Sequence, residues 1–460
     1  MDYSAANLTL WNFIIQLGYI AIAILLATFL RQKLSFIRKS LMPVAVLAGF
    51  LLLAAKLIGL VKLDANFMEI LVYHGIALGF IAMSLRVPEG KKNDSDLTGL
   101  KSGAVIVSTY LVQGAVGLII TLFLAYTFMP DLFKAAGLLL PMGYGQGPGQ
   151  ANNIGSSYEA LGFAGGRSFG LAIAAAGYLV ACVAGVVILN ILSRKGKLDG
   201  SRKYNEKVPG VDFFQSNDEI PVSDSIDRLS IQLMLVVLVY LLTFLTAKGI
   251  TSGISALSEG LAATVNTLIW GFNFIIGSAL AILIRILLEK GKKAGFIKRQ
   301  YQNNYLLNRI SGFFFDIMIV AGIASIDPED IRSLWVPFLL ITVIGGVVTW
   351  LHLRFVCRNV YKDYYYEGLL SMFGMLTGTI SSGVLLLREI DPDLSTPATN
   401  NLITGSSFGI VLGAPVLVLV GLAPKSDLMC FVTLGLTLLY MAGLELLIFK
   451  AHRRKKKSND

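Results

Sequence analysis

The stretch GLLLPMGYGQGPG, residues 137–149, decides how the rest of the chain is read. It lies in a strongly apolar sequence, yet it holds five glycines and two prolines in thirteen residues. Glycine and proline are the two poorest helix formers, so a continuous helix cannot run through it. Asn152, Asn153, Ser156 and Ser157 follow closely. Backbone that leaves the helix at membrane depth is tolerated only where protein buries it or where it lines a wet cavity. We read the stretch as the tip of a re-entrant hairpin, residues 137–163, that forms half of a binding site. The alternative is a surface loop between two spans.

The setting is a membrane. The chain has 460 residues, of which 55% are hydrophobic and only 15% charged, with a mean hydropathy of +0.69. Soluble domains carry about 25% charged residues. Hydropathy and charge place eleven spans: Trp11–Leu30, Leu41–Leu60, Phe67–Leu85, Ser102–Phe128, Ala164–Leu192, Leu229–Ala247, Ala263–Leu288, Ser311–Ile326, Leu334–Phe355, Leu402–Ala423 and Leu428–Phe449. A polar linker, residues 193–228, separates a first half, 1–192, from a second, 229–423. Residues 424–460 hold an extra span and a basic tail. A second stretch rich in glycine, serine and threonine, residues 368–388, precedes the tenth span.

Orientation follows from Lys and Arg. Loops on one side carry 31 of the 39, and the other side carries five. This positive-inside bias places the N-terminus outside and the C-terminal tail in the cytoplasm of a multi-pass cell-membrane protein. The net charge of +10 belongs to that bias and to anionic lipid, not to nucleic acid. The alternation survives only if both glycine-rich stretches emerge on the side they enter. The same order of five spans and one hairpin then appears twice with opposite orientation. Short echoes accompany it: Gly137, Gly143 and Gly147 stand 231 positions before Gly368, Gly374 and Gly378, and Ser168-Phe169-Gly170 recurs as Ser407-Phe408-Gly409. The expected fold is therefore an all-α polytopic membrane protein with two inverted-topology repeats of five transmembrane helices, each with a re-entrant hairpin, plus one extra C-terminal helix. Inverted repeats whose broken elements meet near the midplane are the architecture of secondary transporters.

Several motifs carry a family likeness. Gly145-Gln146-Gly147-Pro148-Gly149, Gln113-Gly114-Ala115-Val116-Gly117, and Phe355-Val356-Cys357-Arg358 with Lys362 and Tyr364 together resemble the bacterial sodium:glutamate symporter family. The chain departs from that family at Thr377-Gly378-Thr379-Ile380-Ser381-Ser382-Gly383, in the second hairpin, and in its eleventh span. The resemblance implies sodium-coupled uptake of glutamate or a related small organic anion, and a homodimer.

A sodium-coupled carrier needs hard oxygen ligands, which freed carbonyls, hydroxyls and amides supply. Candidate substrate contacts are Gly145, Gln146, Gly147, Gly149, Asn152, Asn153, Arg167, Thr377, Gly378, Thr379, Ser381 and Ser382. Candidate sodium ligands are Asp316, Asn153, Ser156 and Thr379. The alternative for the hydroxyls is that they satisfy their own hairpin's backbone. An anionic cargo needs a positive pole, supplied by the helix N-termini after Gly149 and Gly383 or by Arg167; Arg167 could instead snorkel at the outer interface. Asp316, within FFFDIMIV, is a carboxylate in an apolar span and a functional candidate on that ground, for sodium or for a proton. It could instead pair with Arg309 near the cytoplasmic end. His74 is a proton-relay or packing residue, and Glu445, near Lys450, an interfacial one. Gln113 and Asn273 suit hydrogen bonding between helices.

Other classes find little footing. No Walker A loop and no hydrolase or oxidoreductase constellation is present. Cys182, Cys357 and Cys430 form no metal or disulfide pattern. We therefore expect no enzyme and no cofactor beyond the coupling sodium ion. A cleaved leader is not expected either, since no basic segment precedes the first apolar run. A proton-coupled anion carrier is the nearest rival. An ion channel with pore-loop hairpins follows, then an intramembrane enzyme using Asp316.

Overall fold

The computed structural model describes residues 3–4, 7–87, 95–195, 222–257, 269–271, 273–296, 302–391 and 396–456. Most of the expected linker, residues 88–94 of one basic loop, the first part of the seventh expected span and the last four residues of the tail lie outside them. The described residues are helical throughout, with no strand among them. In order they form α1 (Leu8–Lys33), α2 (Ser35–Lys39), α3 (Val44–Leu57), α4 (Ala65–Ser84), α5 (Ser95–Thr127), α6 (Pro148–Glu159), α7 (Gly166–Arg194), α8 (Val222–Leu257), α9 (Asn273–Lys293), α10 (Asn304–Ser325), α11 (Pro328–Arg332), α12 (Trp335–Val360), α13 (Tyr365–Thr377), α14 (Ile380–Arg388), α15 (Ala398–Leu422) and α16 (Asp427–Lys456).

Nine helices among the described residues are long and apolar enough to cross a membrane, which marks a polytopic membrane protein. Two of the eleven expected spans fall short of that measure, each for a local reason. α3 has 14 residues, or about 21 Å, against a hydrocarbon core of about 30 Å. Pro43 precedes it, and Gly59 stops it at φ 77°. There Gly59 N–H donates to Lys56 O and Leu60 N–H to Ala55 O, the paired bonds of a left-handed helix stop. The described part of the seventh expected span is α9, whose second half carries Arg285, Glu289, Lys290, Lys292 and Lys293.

The chain divides into two compact units, and the division falls within α4, near the end of α7 and within α10. One unit, residues 76–89 and 192–315, is held by an apolar core of Ile81, Leu85, Val236, Val239, Ala281, Leu307 and Ile310. Arg285 closes the end of α4 in this unit by donating to the carbonyls of Ser84 and Arg86 at 3.2 and 2.9 Å. The other unit, residues 1–75, 90–191 and 316–460, contains both glycine-rich stretches. At its loop before α4, the Asp64 carboxylate accepts from the Phe67 amide and from Asn12 Nδ2. These bonds hold its carboxyl below the usual range.

The first glycine-rich stretch is irregular, as its composition requires. A 3-10 turn spans Lys134–Leu138 and a π-helical turn Pro141–Gln146, and Gly147 then takes φ 90° and ψ −174°. The segment runs antiparallel to α5: Thr121 Oγ1 donates to Lys134 O, Gly117 abuts Gly137, and Gly145 lies on the Tyr110 ring. α6 then returns along α7, where Gly170 faces Ala151 O and Gly155 faces Arg167. The chain thus reverses at Gly147. The second stretch reverses likewise. α13 ends at Thr377, α14 begins at Ile380, and the two lie back to back with Gly374 against Ser382–Gly383 and Gly383 against Ser371 O. The break is at Gly378–Thr379, so the second half-helix starts four residues earlier than expected. Gly383 serves close packing instead, because a Cβ there would lie 2.4 Å from the Ser371 carbonyl.

The backbone contact at Gly117 gives a direct test. A Cβ on Gly117 would come within 2.0 Å of the Gly137 carbonyl oxygen, whereas one on Gly435 of α16 meets nothing within 4 Å. Gly117→Ala should cost about 1–3 kcal/mol, the usual overpacking penalty, and lower the thermal midpoint in detergent. Gly435→Ala should leave the midpoint unchanged or raise it. Equal midpoints for the two variants would contradict this packing.

Candidate functional site

The two breaks meet. A methyl group built on Gly147 would lie 3.9 Å from Thr379 Cγ2, 3.9 Å from the Tyr178 hydroxyl and 4.0 Å from the Gly378 carbonyl oxygen. A Cβ on Gly177 of α7 would reach the Thr377 carbonyl at 2.2 Å. α6 begins at Pro148 and α14 at Ile380, so both half-helices present their N-termini to this crossing. Neither has a side-chain cap. The first N–H groups of a helix lack intrahelical acceptors and carry the positive end of its dipole. Two such ends side by side favour an anion.

Polar side chains without partners gather along the same segments. Among the described residues, the Tyr178 hydroxyl, Thr379 Oγ1, Ser382 Oγ, Gln113 Oε1, both amide atoms of Gln150 and Asn152 Oδ1 are buried and make no hydrogen bond. Ser382 Oγ lies 2.8 Å from the Cβ position of Gly378, and Gln113 Oε1 lies 3.1 Å from that of Gly145. A buried polar group left unpaired costs about 1–3 kcal/mol, so these atoms keep hydrogen-bonding capacity that the fold does not use. The oxygens suit a small hard cation, and the amide N–H groups of Gln150 suit an acceptor.

The expected contacts are not all in one place. Gly147, Gly378 and Thr379 lie at the crossing, with Ser382 against Gly378, whereas Gly145 lies against Tyr110 and Gln113. Gln146 and Gly149 flank Gly147 in the chain, and Gly149 is buried. Asn152 and Asn153 are buried on α6, where Asn152 Nδ2 donates to Asn153 Oδ1 at 3.4 Å. Thr377 donates to Phe373 O at 2.7 Å, which is the self-satisfying role open to a hydroxyl. Ser381 is exposed. Arg167 and Ser156 are drawn elsewhere. Arg167 Nη1 donates to Glu69 Oε2 at 2.9 Å, and Ser156 Oγ to Glu69 Oε1 at 3.2 Å. Both sit at the far end of α6, near the turn into α7.

Asp316 is on α10, six residues before Gly322, which packs on Pro148. At 1.5 Å per residue that places it roughly 9 Å along the helix from the start of α6. The residue as a whole is exposed. His74 is exposed with its ring edge-on to Tyr73, and Arg309 covers the Tyr305 ring. Gln113 joins helices as expected, donating to Thr349 Oγ1 and to Leu376 O, both at 2.9 Å. Asn273 donates to the Tyr240 hydroxyl at 3.3 Å.

Three residues escaped sequence reasoning: Gln150, Tyr178 and His352. Gln150 follows the glycine run directly, and that position was its only signal. Tyr178 is one aromatic among many in an apolar helix. His352 is discussed below. No family model matches the chain, and no curated protein matches it.

Gln113 supplies the donor for a carbonyl at the end of α13, where helix geometry offers none. Gln113→Leu should therefore destabilise the second break by about 1–3 kcal/mol. The measurement is hydrogen exchange of residues 374–382, which should speed up relative to α5. Unchanged exchange there would show that the bond does not hold the break.

Proposed function

We propose that the chain is a secondary active transporter that carries glutamate or a related small organic anion inward with sodium, by alternating access. The observation that carries this reading is the meeting of Gly147 with Gly378–Thr379, ringed by buried polar groups without partners. In this reading the two chain reversals are re-entrant hairpins that dip from opposite faces of the bilayer. The 231-residue offset supports it, since it pairs Gly147 with Gly378, the glycines of the two breaks. The halves 1–192 and 229–423 are then inverted repeats, and α16 lies outside them.

Each part of the site has a task. The uncapped N-termini of α6 and α14 hold the cargo's carboxylate. Gln150 and Tyr178 give it direction. The Gly378 carbonyl, Thr379 Oγ1 and Ser382 Oγ offer sodium hard oxygens, and Asp316, roughly 9 Å along α10 from the Pro148 contact, offers a charge at longer range. Bound sodium would draw in the anion and the anion would hold the sodium, so each raises the other's affinity. The Glu69–Arg167 pair organises the outer end of α6 and leaves cargo binding to the crossing. The protein sits in the cell membrane as a homodimer, with its N-terminus outside and its tail inside.

Uptake into proteoliposomes, with sodium and proton gradients imposed separately, tests the proposal. Saturable anion uptake driven by sodium alone is expected. Uptake driven only by protons would favour the rival carrier, and large unitary currents a channel. Gly147→Val should abolish uptake with membrane insertion intact. The Cβ has room, but φ 90° does not suit a β-branched residue, at a cost on the order of 1–3 kcal/mol. Asp316→Asn should raise the sodium concentration for half-maximal uptake about tenfold or more, equivalent to about 1.4 kcal/mol. Wild-type uptake by the Gly147 variant would remove the crossing from the mechanism.

A further inference from the structure

A buried histidine sits apart from the crossing, between side chains of two other helices. His352 of α12 has a side chain only 7% exposed. Its Nε2 lies 3.2 Å from Ser108 Oγ of α5, and its Nδ1 lies 3.7 Å from Glu445 Oε1 of α16. Ser108 Oγ also lies 3.0 Å from the Val105 carbonyl oxygen. The single hydroxyl proton therefore has two acceptors within reach. The Ser108–His352 bond can run in either direction, while Glu445 faces the other ring nitrogen beyond hydrogen-bond distance, and that gives the cluster two states.

In the first state Ser108 donates to Nε2, the ring carries its proton on Nδ1, and Nδ1–H points at the ionised Glu445. The cluster has a net charge of −1. In the second state a proton has been added at Nε2. The imidazolium now donates from Nε2 to Ser108 Oγ and from Nδ1 toward Glu445, while the Ser108 hydroxyl turns to the Val105 carbonyl. The cluster is then neutral. No heavy atom has to move, because both acceptors of the hydroxyl are already in place. The facing Glu445 carboxylate favours the added proton, against the cost of holding a charged ring away from water.

We propose that Ser108, His352 and Glu445 form a proton-binding site that takes up one proton per chain, separate from the helix crossing. The groups facing the ring are Ser108 from α5 and Glu445 from α16. α15 has no ionisable residue. The ionisable residues of α13 are Tyr365, Tyr366 and Glu367 in its first turn, where the Tyr365 hydroxyl donates to the Arg354 carbonyl. Arg354 itself is exposed on α12. The site is wired to the second break by a short route. Thr349, one helical turn before His352, accepts from Gln113, and Gln113 donates to Leu376 O beside Thr377 and Gly378. Proton uptake is thus placed to bear on the crossing through a single turn of α12.

The test does not depend on transport. The chain has three histidines, so histidine-selective nitrogen-15 NMR of the full-length protein in lipid vesicles can resolve each, with His352→Gln assigning the signal. The His352 resonance should report one proton taken up between about pH 3 and 8. Glu445→Gln should weaken that proton's binding about tenfold or more, since it removes the facing anion. Ser108→Ala should weaken it by less, and His74 should titrate unchanged in both variants, which also reports an intact fold. A His352 resonance that does not move in that range, or that titrates identically in Glu445→Gln, would overturn the site. Because no cargo enters the measurement, failure here leaves the transport proposal standing, and failure of uptake leaves this one standing.

Discussion

Backbone that leaves the helix inside an apolar protein has to be met by other backbone or by polar groups. In this chain the need is answered at the contact between Gly147 and Gly378–Thr379. Glycine serves the two breaks in different ways. Gly147 adopts a φ that L side chains rarely accept, and Gly177 lets α7 come against the Thr377 carbonyl. The neighbouring helices serve this contact. Gln113 supplies a donor to Leu376 O from α5, and the Tyr144 hydroxyl donates from the first stretch to Thr342 O of α12 at 2.8 Å. Such bonds fix where each break lies, and they leave the polar atoms nearest the contact unspent.

The polar residues of this unit fall into separate clusters, each with its own chemistry. Around the crossing they are neutral, and the Tyr178 hydroxyl, Thr379 Oγ1 and Ser382 Oγ make no hydrogen bond. Around Glu69 they are charged and mutually satisfied: Arg167 and Ser156 hold the carboxylate, while Ser168 Oγ donates to Asp330 Oδ2 at 2.6 Å nearby. A charge already neutralised by a partner has little left for cargo. The Ser108–His352–Glu445 cluster is of a third kind. It has two hydrogen-bonding arrangements on one set of atoms, and the proton decides between them.

The sequence by itself determined where helices run and where they break. Apolar runs of membrane length and the composition of residues 137–149 and 368–388 are local properties, and local backbone energetics settle them: glycine and proline weaken the helix wherever they stand. Most expected spans fall on observed helices for that reason, and Gly147 and Gly378 could be singled out in advance. Partners are another matter. That Arg167 pairs with Glu69, that Tyr178 stands beside Gly147, that Glu445 reaches His352 and that Gly383 packs where a helix start was expected are decided by segments tens to hundreds of residues apart. Only tertiary structure brings these together, because a polar side chain in an apolar span must find a partner in space, and the chain around it does not say which one.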